Sequence, residues 1–237
     1  MLAFGDSITN GGGELQWGVA LQSWALWVAR ALGLPFTSYA LDGARVDDVV
    51  HQQIPAFERL SAHPGARYEL GCLYIGVNDV RALDWDPVSF ETDFRHALAF
   101  LCGRCDRVLA LTAPLDLVRP RARTKVQDLN ASIERVAAEN QAMILDLRDF
   151  NARNLVMADR VHPTAFGQIA IAERALDVLQ RDGMHMAVRP SALIRYETTR
   201  WQRLRDDWTY TYRALKETVR ARALTAWLKR GRPRSPR

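Results

Sequence analysis

Cysteine is scarce in this chain, long apolar runs are missing, and no stretch reads as a targeting segment. Three cysteines, Cys72, Cys102 and Cys105, cannot all pair with one another, which excludes a disulfide-stapled secreted scaffold. No window approaches the roughly 18 uncharged apolar residues of a spanning helix. The opening Met1-Leu2-Ala3-Phe4-Gly5-Asp6 has neither a basic stretch nor an apolar run, so no signal peptide is expected. These features together favour a reducing, cytoplasmic setting. Cys102-Gly103-Arg104-Cys105 has C-x-x-C spacing but no second pair and no neighbouring histidine, so the thiols read as incidental and no metal is expected. His51, His63, His96 and His185 have no acidic partner at useful spacing and read as surface residues.

What is present is an ordinary globular composition with an uneven charge. The 237 residues are 48% apolar and 25% charged, enough for one domain with about 50 residues to spare. The formal net charge is +5, but residues 184–237 hold 14 Lys and Arg against 4 Asp and Glu. A mildly acidic body is therefore joined to a strongly basic tail, and the overall charge reports on the tail.

Short apolar runs alternate with amphipathic stretches along the body. Strands are expected at Leu2–Phe4, Pro35–Leu41, Leu70–Ile75, Val108–Leu111 and Ala142–Leu147. Helices are expected near 16–32, 45–60, 90–101, 123–139 and 164–179. Strands separated by helices of this length imply right-handed crossovers, hence an α/β/α sandwich of three layers around a five-stranded parallel sheet. Such sheets bind ligands at the carboxyl ends of their strands.

The residues just after those strands can carry acyl transfer, which needs a nucleophile, a base, an orienting carboxylate and oxyanion donors. Gly5-Asp6-Ser7-Ile8-Thr9 follows the first strand, Leu41-Asp42-Gly43-Ala44 the second, and Gly76-Val77-Asn78-Asp79 the third. Asp159-Arg160-Val161-His162-Pro163 precedes the last helix of the body. Three residues of separation let the Asp159 carboxylate hold one imidazole nitrogen of His162 while the other faces outward. Pro163 suits the first position of the helix that follows. Asp6 is expected to shape its loop, and Asp79 to be structural. The bland readings remain beside these: a helix cap for Ser7, turn residues for Asn78 and Asp79, strain relief for Gly43.

Gly5-Asp6-Ser7, the isolated Gly43, Gly76-x-Asn78-Asp79 and Asp159-x-x-His162 together resemble the four sequence blocks of the GDSL/SGNH hydrolases, in order over residues 1 to about 180. The resemblance implies the flavodoxin-like SGNH fold. It makes Ser7 the nucleophile, His162 the general base and acid, and Asp159 its orienter. The Ser7 and Gly43 backbone N–H groups and the Asn78 amide become the oxyanion hole. It also implies hydrolysis of carboxylic esters or thioesters, with carbohydrate O-deacetylation and lysophospholipid hydrolysis as alternatives, and no cofactor. A silent binding or membrane-docking module is the alternative from another class. Ile8 replaces the Leu of the family's name, and the Asn common before the second-block glycine is missing from Tyr39-Ala40-Leu41-Asp42. Thr9 stands where the Gly-x-Ser-x-Gly elbow of the α/β-hydrolases has its second glycine, which argues against that fold.

Three segments are then expected: a hydrolase domain over 1–183, a basic amphipathic helical extension over 184–230, and a disordered tail over 231–237. The loop Ala113–Thr124, with Arg119, Arg121 and Arg123, would overhang the site as a lid or anion-binding wall, or be a solvated basic loop. In the extension, Leu204, Trp208, Tyr212, Leu215, Val219, Ala223 and Trp227 recur at three- and four-residue steps. Such a face suits packing on the body or on a second subunit, or an anionic membrane surface. For nucleic acid there is charge but no recognition motif.

Overall fold

A computed structural model of the protein describes residues 1–61, 65–117, 122–195 and 199–230. His63, the expected lid's Arg119 and Arg121, and the expected disordered tail 231–237 lie outside the described residues. The body is built on five strands, β1 (Leu2–Gly5), β2 (Thr37–Ser38), β3 (Tyr68–Tyr74), β4 (Cys105–Leu111) and β5 (Met143–Leu145). They pair in the order β2-β1-β3-β4-β5, every pair parallel. The order reverses direction between β1 and β3, and at that switch point a doubly wound sheet opens a crevice at its strand ends.

The central strands are apolar because both faces are covered. All of β1 is buried, as are the last five residues of β3. Phe4 of β1 meets Tyr39, Phe57 and Phe100 at ring-centroid distances of 6.0–6.4 Å. Helices α2 (Trp24–Leu32) and α8 (Ala165–Arg181) pack on each other, and α6 (Pro87–Arg104) packs on α7 (Arg123–Glu139) and α3 (Val46–Asp48). Right-handed crossovers place these two groups on opposite faces of the sheet. The periodic set Phe90, Phe94, Ala97, Leu98 and Leu101 is the buried face of α6, and Asp86 caps its start.

Three local expectations need correction. Residues 16–22 are not helical: Trp17 and Gly18 have φ of 51° and 78°, and α2 begins only where the Ser23 hydroxyl accepts the Ala25 N–H. The second strand is two residues long, although Tyr39 and Leu41 still donate to Ala3 and Gly5 of β1. Pro163 does not open α8; Thr164 caps it, accepting the Gly167 N–H, and Pro163 stands one residue further out. The helix expected near 45–60 is α3, a π turn at Val49–Gln53 and α4 (Ile54–Leu60) in one run.

Within the expected extension 184–230, Met184, Met186 and Ile194 pack against the core of the body, and helix α9 spans Arg200–Arg230. Its apolar positions Leu204, Trp208, Tyr212, Leu215 and Val219 are all exposed, so that face does not pack on the body as one reading expected. Among the described residues no helix is long and apolar enough to cross a membrane.

Candidate active site

The switch point brings the chemistry-bearing residues together. β1 ends at Gly5, where a Cβ would fall 2.5 Å from the Tyr74 carbonyl of β3 and 2.6 Å from the Thr9 hydroxyl, so only glycine fits. Asp6 then accepts the Ile8 N–H at 2.9 Å and starts a one-turn helix, α1 (Ser7–Asn10), with Ser7 as its first residue. A first-turn N–H has no intrahelical acceptor, so that of Ser7 is available at the strand end.

Two buried glutamines fix this turn. Gln53, in the π turn, accepts the Gly5 N–H at 3.0 Å and donates to the Gly5 carbonyl at 2.8 Å. Gln168 of α8 donates to the carbonyls of Ile8 and Gly12, each at 3.0 Å, and accepts the Trp24 N–H at 2.8 Å. Sequence reasoning missed both. Each is a helical Gln whose partners are backbone atoms remote in sequence, and neither leaves a motif.

His162 comes from a small hairpin. The Met157 N–H donates to the His162 carbonyl at 2.8 Å, and the Thr164 N–H to the Leu155 carbonyl at 2.9 Å. At its tip, Asp159 Oδ1 accepts the backbone N–H groups of Val161 and His162 at 2.9 and 3.1 Å. The other oxygen, Oδ2, lies 2.7 Å from His162 Nδ1. His162 Nε2 lies 2.9 Å from Ser7 Oγ. A carboxylate, an imidazole and a hydroxyl therefore stand in one hydrogen-bonded line, the spatial arrangement of an acyl-transfer triad.

The electrostatics follow from burial and these bonds. The hydrogen bond that His162 donates to Asp159, outweighing desolvation, raises the His162 pKa above its usual value. Burial pushes the Asp159 carboxyl up, but its bonds to the His162 ring and to the Val161 and His162 N–H groups win, and it ends below the usual carboxylate range. Asp6 is fully buried and is pushed up to about 7 against the opposing Ile8 N–H. Burial likewise raises Asp79 to about 6, while it accepts the Val46 N–H at 3.1 Å and so anchors the start of α3.

Ser7 and His162 share a cleft of about 360 Å³ with Gly12, Gly13, Asp42, Gly43, Asn78 and Met157. Gly43 takes a φ of 77°, in the region that favours glycine. The Asn78 amide, in the short helix α5 (Val77–Arg81), donates one N–H to the Ala44 carbonyl at 3.0 Å, tying β3's end to the Gly43 turn, and an amide has a second N–H to give. All five sequence-predicted site residues thus meet at one edge of the sheet: four line the cleft, and Asp159 stands behind His162. Gly12, Gly13 and Met157 are lining residues that no motif indicated. Among the described residues no group of three or more His, Cys, Asp or Glu side chains could hold a metal. His51, His96 and His185 are exposed, and all three cysteines are free.

Residues 3–169 match the GDSL-like Lipase/Acylhydrolase family. The chain belongs to that family. As a member it is a hydrolase of ester bonds, and the match ends within α8, leaving α9 outside it. A G-D-S-L family lipolytic protein from Veillonella parvula shares its fold at a TM-score of 0.61 and 24% identity, covering 76% of this chain and 97% of that one. A lipase/acylhydrolase from Enterococcus faecalis gives 0.59 and 18%, covering 76% and 95%. An acetylxylan esterase from Geobacillus stearothermophilus gives 0.59 and 18%, covering 75% and 92%; catalytic mutants of it replace a histidine, or the aspartate three residues before that histidine, with alanine. No curated protein matches the sequence.

The elevated Asp6 predicts a pH-dependent stability. Its folded value of about 7 exceeds the ordinary 3.8, so the folded state holds a proton that the unfolded state has lost between those limits. Stability from this group is therefore full below pH 3.8 and falls as pH rises toward 7. Asp6→Asn keeps an acceptor for the Ile8 N–H and removes the buried charge. It is expected to raise Tm by about 2–4 °C at pH 8, on the order of 1 kcal/mol, with little change at pH 4. Thermal unfolding at both pH values checks this, and an equal shift at both would refute the titration account.

Proposed function

We propose that the family's ester chemistry runs here through an acyl-enzyme on Ser7, with short-chain carboxylic esters as substrates. The observation that carries this reading is the single line from Asp159 through His162 to Ser7, opening into the cleft. Neutral His162 takes the Ser7 proton as Oγ attacks the ester carbonyl. The Ser7 and Gly43 N–H groups and the second Asn78 N–H receive the developing oxyanion. His162 then hands its proton to the departing alkoxide, and the alcohol leaves. Water, deprotonated by His162, attacks the acyl carbonyl, and collapse returns the proton to Ser7 as the carboxylic acid departs. Asp159 holds the imidazole and stabilises it while it is charged.

The cleft walls favour a small acyl group. Met157 is the one apolar side chain among the lining residues, three positions are glycine, and Asp42 puts a carboxylate at the rim. Such a site suits an acetyl group better than a fatty chain, so O-acetylated carbohydrate is favoured over lysophospholipid. An inactive binding module has no need for an imidazole held between two partners at 2.7 and 2.9 Å.

The test compares p-nitrophenyl acetate, butyrate and octanoate, followed by covalent labelling with a fluorophosphonate and peptide mapping. Expected are a kcat/KM at least about tenfold higher for acetate than for octanoate, in line with the cost of misfit in a small pocket, and an adduct on the peptide carrying Ser7. A preference for octanoate would overturn the short-acyl reading. An adduct on any other residue would overturn Ser7.

A further inference from the structure

Helix α9 lies outside the family match, and its two faces behave oppositely. The polar face is latched to the body. Arg153 sits over the Tyr210 ring at 5.0 Å, donates to Thr211 Oγ1 at 3.2 Å and stands 3.6 Å from the Asp207 carboxylate. Arg213 pairs with Glu14 at 2.6 Å. Asp206 lines the space of about 630 Å³ between this face and the body. The opposite face carries Trp201, Leu204, Trp208, Tyr212, Leu215 and Val219, at steps of three and four that keep them on one stripe. Trp201 is 81% exposed and Trp208 74%, and the other four exceed half. An apolar stripe of this size turned to water marks a docking surface.

Charge decides the occupant. Residues 200–230 hold nine Lys and Arg against three Asp and Glu. At 100° per residue Arg205 and Lys216 fall along one edge of the stripe and Arg200 along the other, all exposed. Asp206 and Asp207 face the body. A second copy would set cationic borders against cationic borders. A nucleic acid would meet an apolar stripe where phosphates need cations. An anionic bilayer satisfies both features, receiving Trp, Tyr and Leu at the level of the headgroups and acidic lipid at the flanks.

We propose that α9 is an in-plane anchor that binds an anionic lipid surface through the Trp201–Val219 stripe. Its braces adjoin the catalytic cleft: Glu14 follows the lining residue Gly13, and Arg153 precedes Met157 on the hairpin. Docking therefore holds the ester-cleaving site near the headgroup layer. The anchor itself stands on the helix and not on the catalytic reading.

The test is co-sedimentation of the full chain with vesicles of phosphatidylcholine alone and of phosphatidylcholine mixed with phosphatidylglycerol. Wild type is expected to bind the anionic vesicles at least about tenfold more tightly than the neutral ones, and less tightly as salt rises. A Leu204→Glu/Trp208→Glu variant, altered only at exposed positions, is expected to lose at least about tenfold of that affinity while keeping its circular dichroism. Failure of wild type to bind anionic vesicles, or equal binding by the variant, overturns the anchor. So does a wild-type dimer by light scattering that the variant dissolves, since the stripe then belongs to a second copy. Hydrolysis assays are read separately, so loss of ester activity leaves the lipid result standing.

Discussion

Replacing Ser7 with alanine is expected to lower kcat on p-nitrophenyl acetate by about 10⁴- to 10⁶-fold, with KM changed little. The size follows from what the hydroxyl does. Without Oγ there is no nucleophile 2.9 Å from His162 Nε2, and no acyl-enzyme forms. What survives is the part of catalysis that needs no covalent bond: donors aimed at the oxyanion and a base able to activate water, together worth about 10³- to 10⁴-fold over the uncatalysed reaction. KM holds because the walls of the cleft are untouched. The substitution is also structurally mild, since Asp6 rather than Ser7 caps α1. A Ser7→Ala protein that still reacts with a fluorophosphonate, or hydrolyses acetate within about tenfold of wild type, would remove Ser7 from the mechanism.

The parts of this site that could be read from the sequence are those fixed by local geometry or by sheet topology. Asp159 and His162 lie within one tight loop, where a three-residue step forces proximity. Ser7, Gly43 and Asn78 lie far apart in sequence but follow β1, β2 and β3, and a parallel sheet delivers all its carboxyl ends to one edge. The Gln53 and Gln168 clamps were not legible, because a buried helical Gln looks the same whether its partner is a strand end 48 residues away or a solvent molecule. Residues 16–22 imitate a helix in their apolar content, but the backbone turns left-handed at Trp17 and Gly18 and bridges Gln16 to Val19. In α9 the stripe was visible as a period. Which face meets the body depends on Arg153 and Glu14, and no periodicity encodes that pairing.

Asp159→Asn separates orientation from charge, and it is expected to cost about 10⁴-fold in kcat, the loss seen when a triad carboxylate becomes an amide. The carboxylate performs two tasks through different oxygens. Oδ1 takes the Val161 and His162 N–H groups and holds the loop, which the Asn oxygen can still do. Oδ2 accepts from Nδ1, which leaves Nε2 unprotonated and facing Ser7. An Asn nitrogen in that place donates instead, so the ring must carry its proton on Nε2, where it cannot accept one from Ser7. The fold should survive, and circular dichroism and Tm provide the control. A pH signature distinguishes this from simple misplacement. In the wild type the Asp159 hydrogen bond raises the His162 pKa, so kcat/KM climbs with pH along an acid limb centred above 6.5. With the carboxylate gone, the limb in Asp159→Asn should move to lower pH while the plateau drops. A variant with a lowered plateau and an unmoved limb would mean that Asp159 only positions the ring. A limb shifted upward would mean that another group, such as the buried Asp6 raised to about 7, sets the titration.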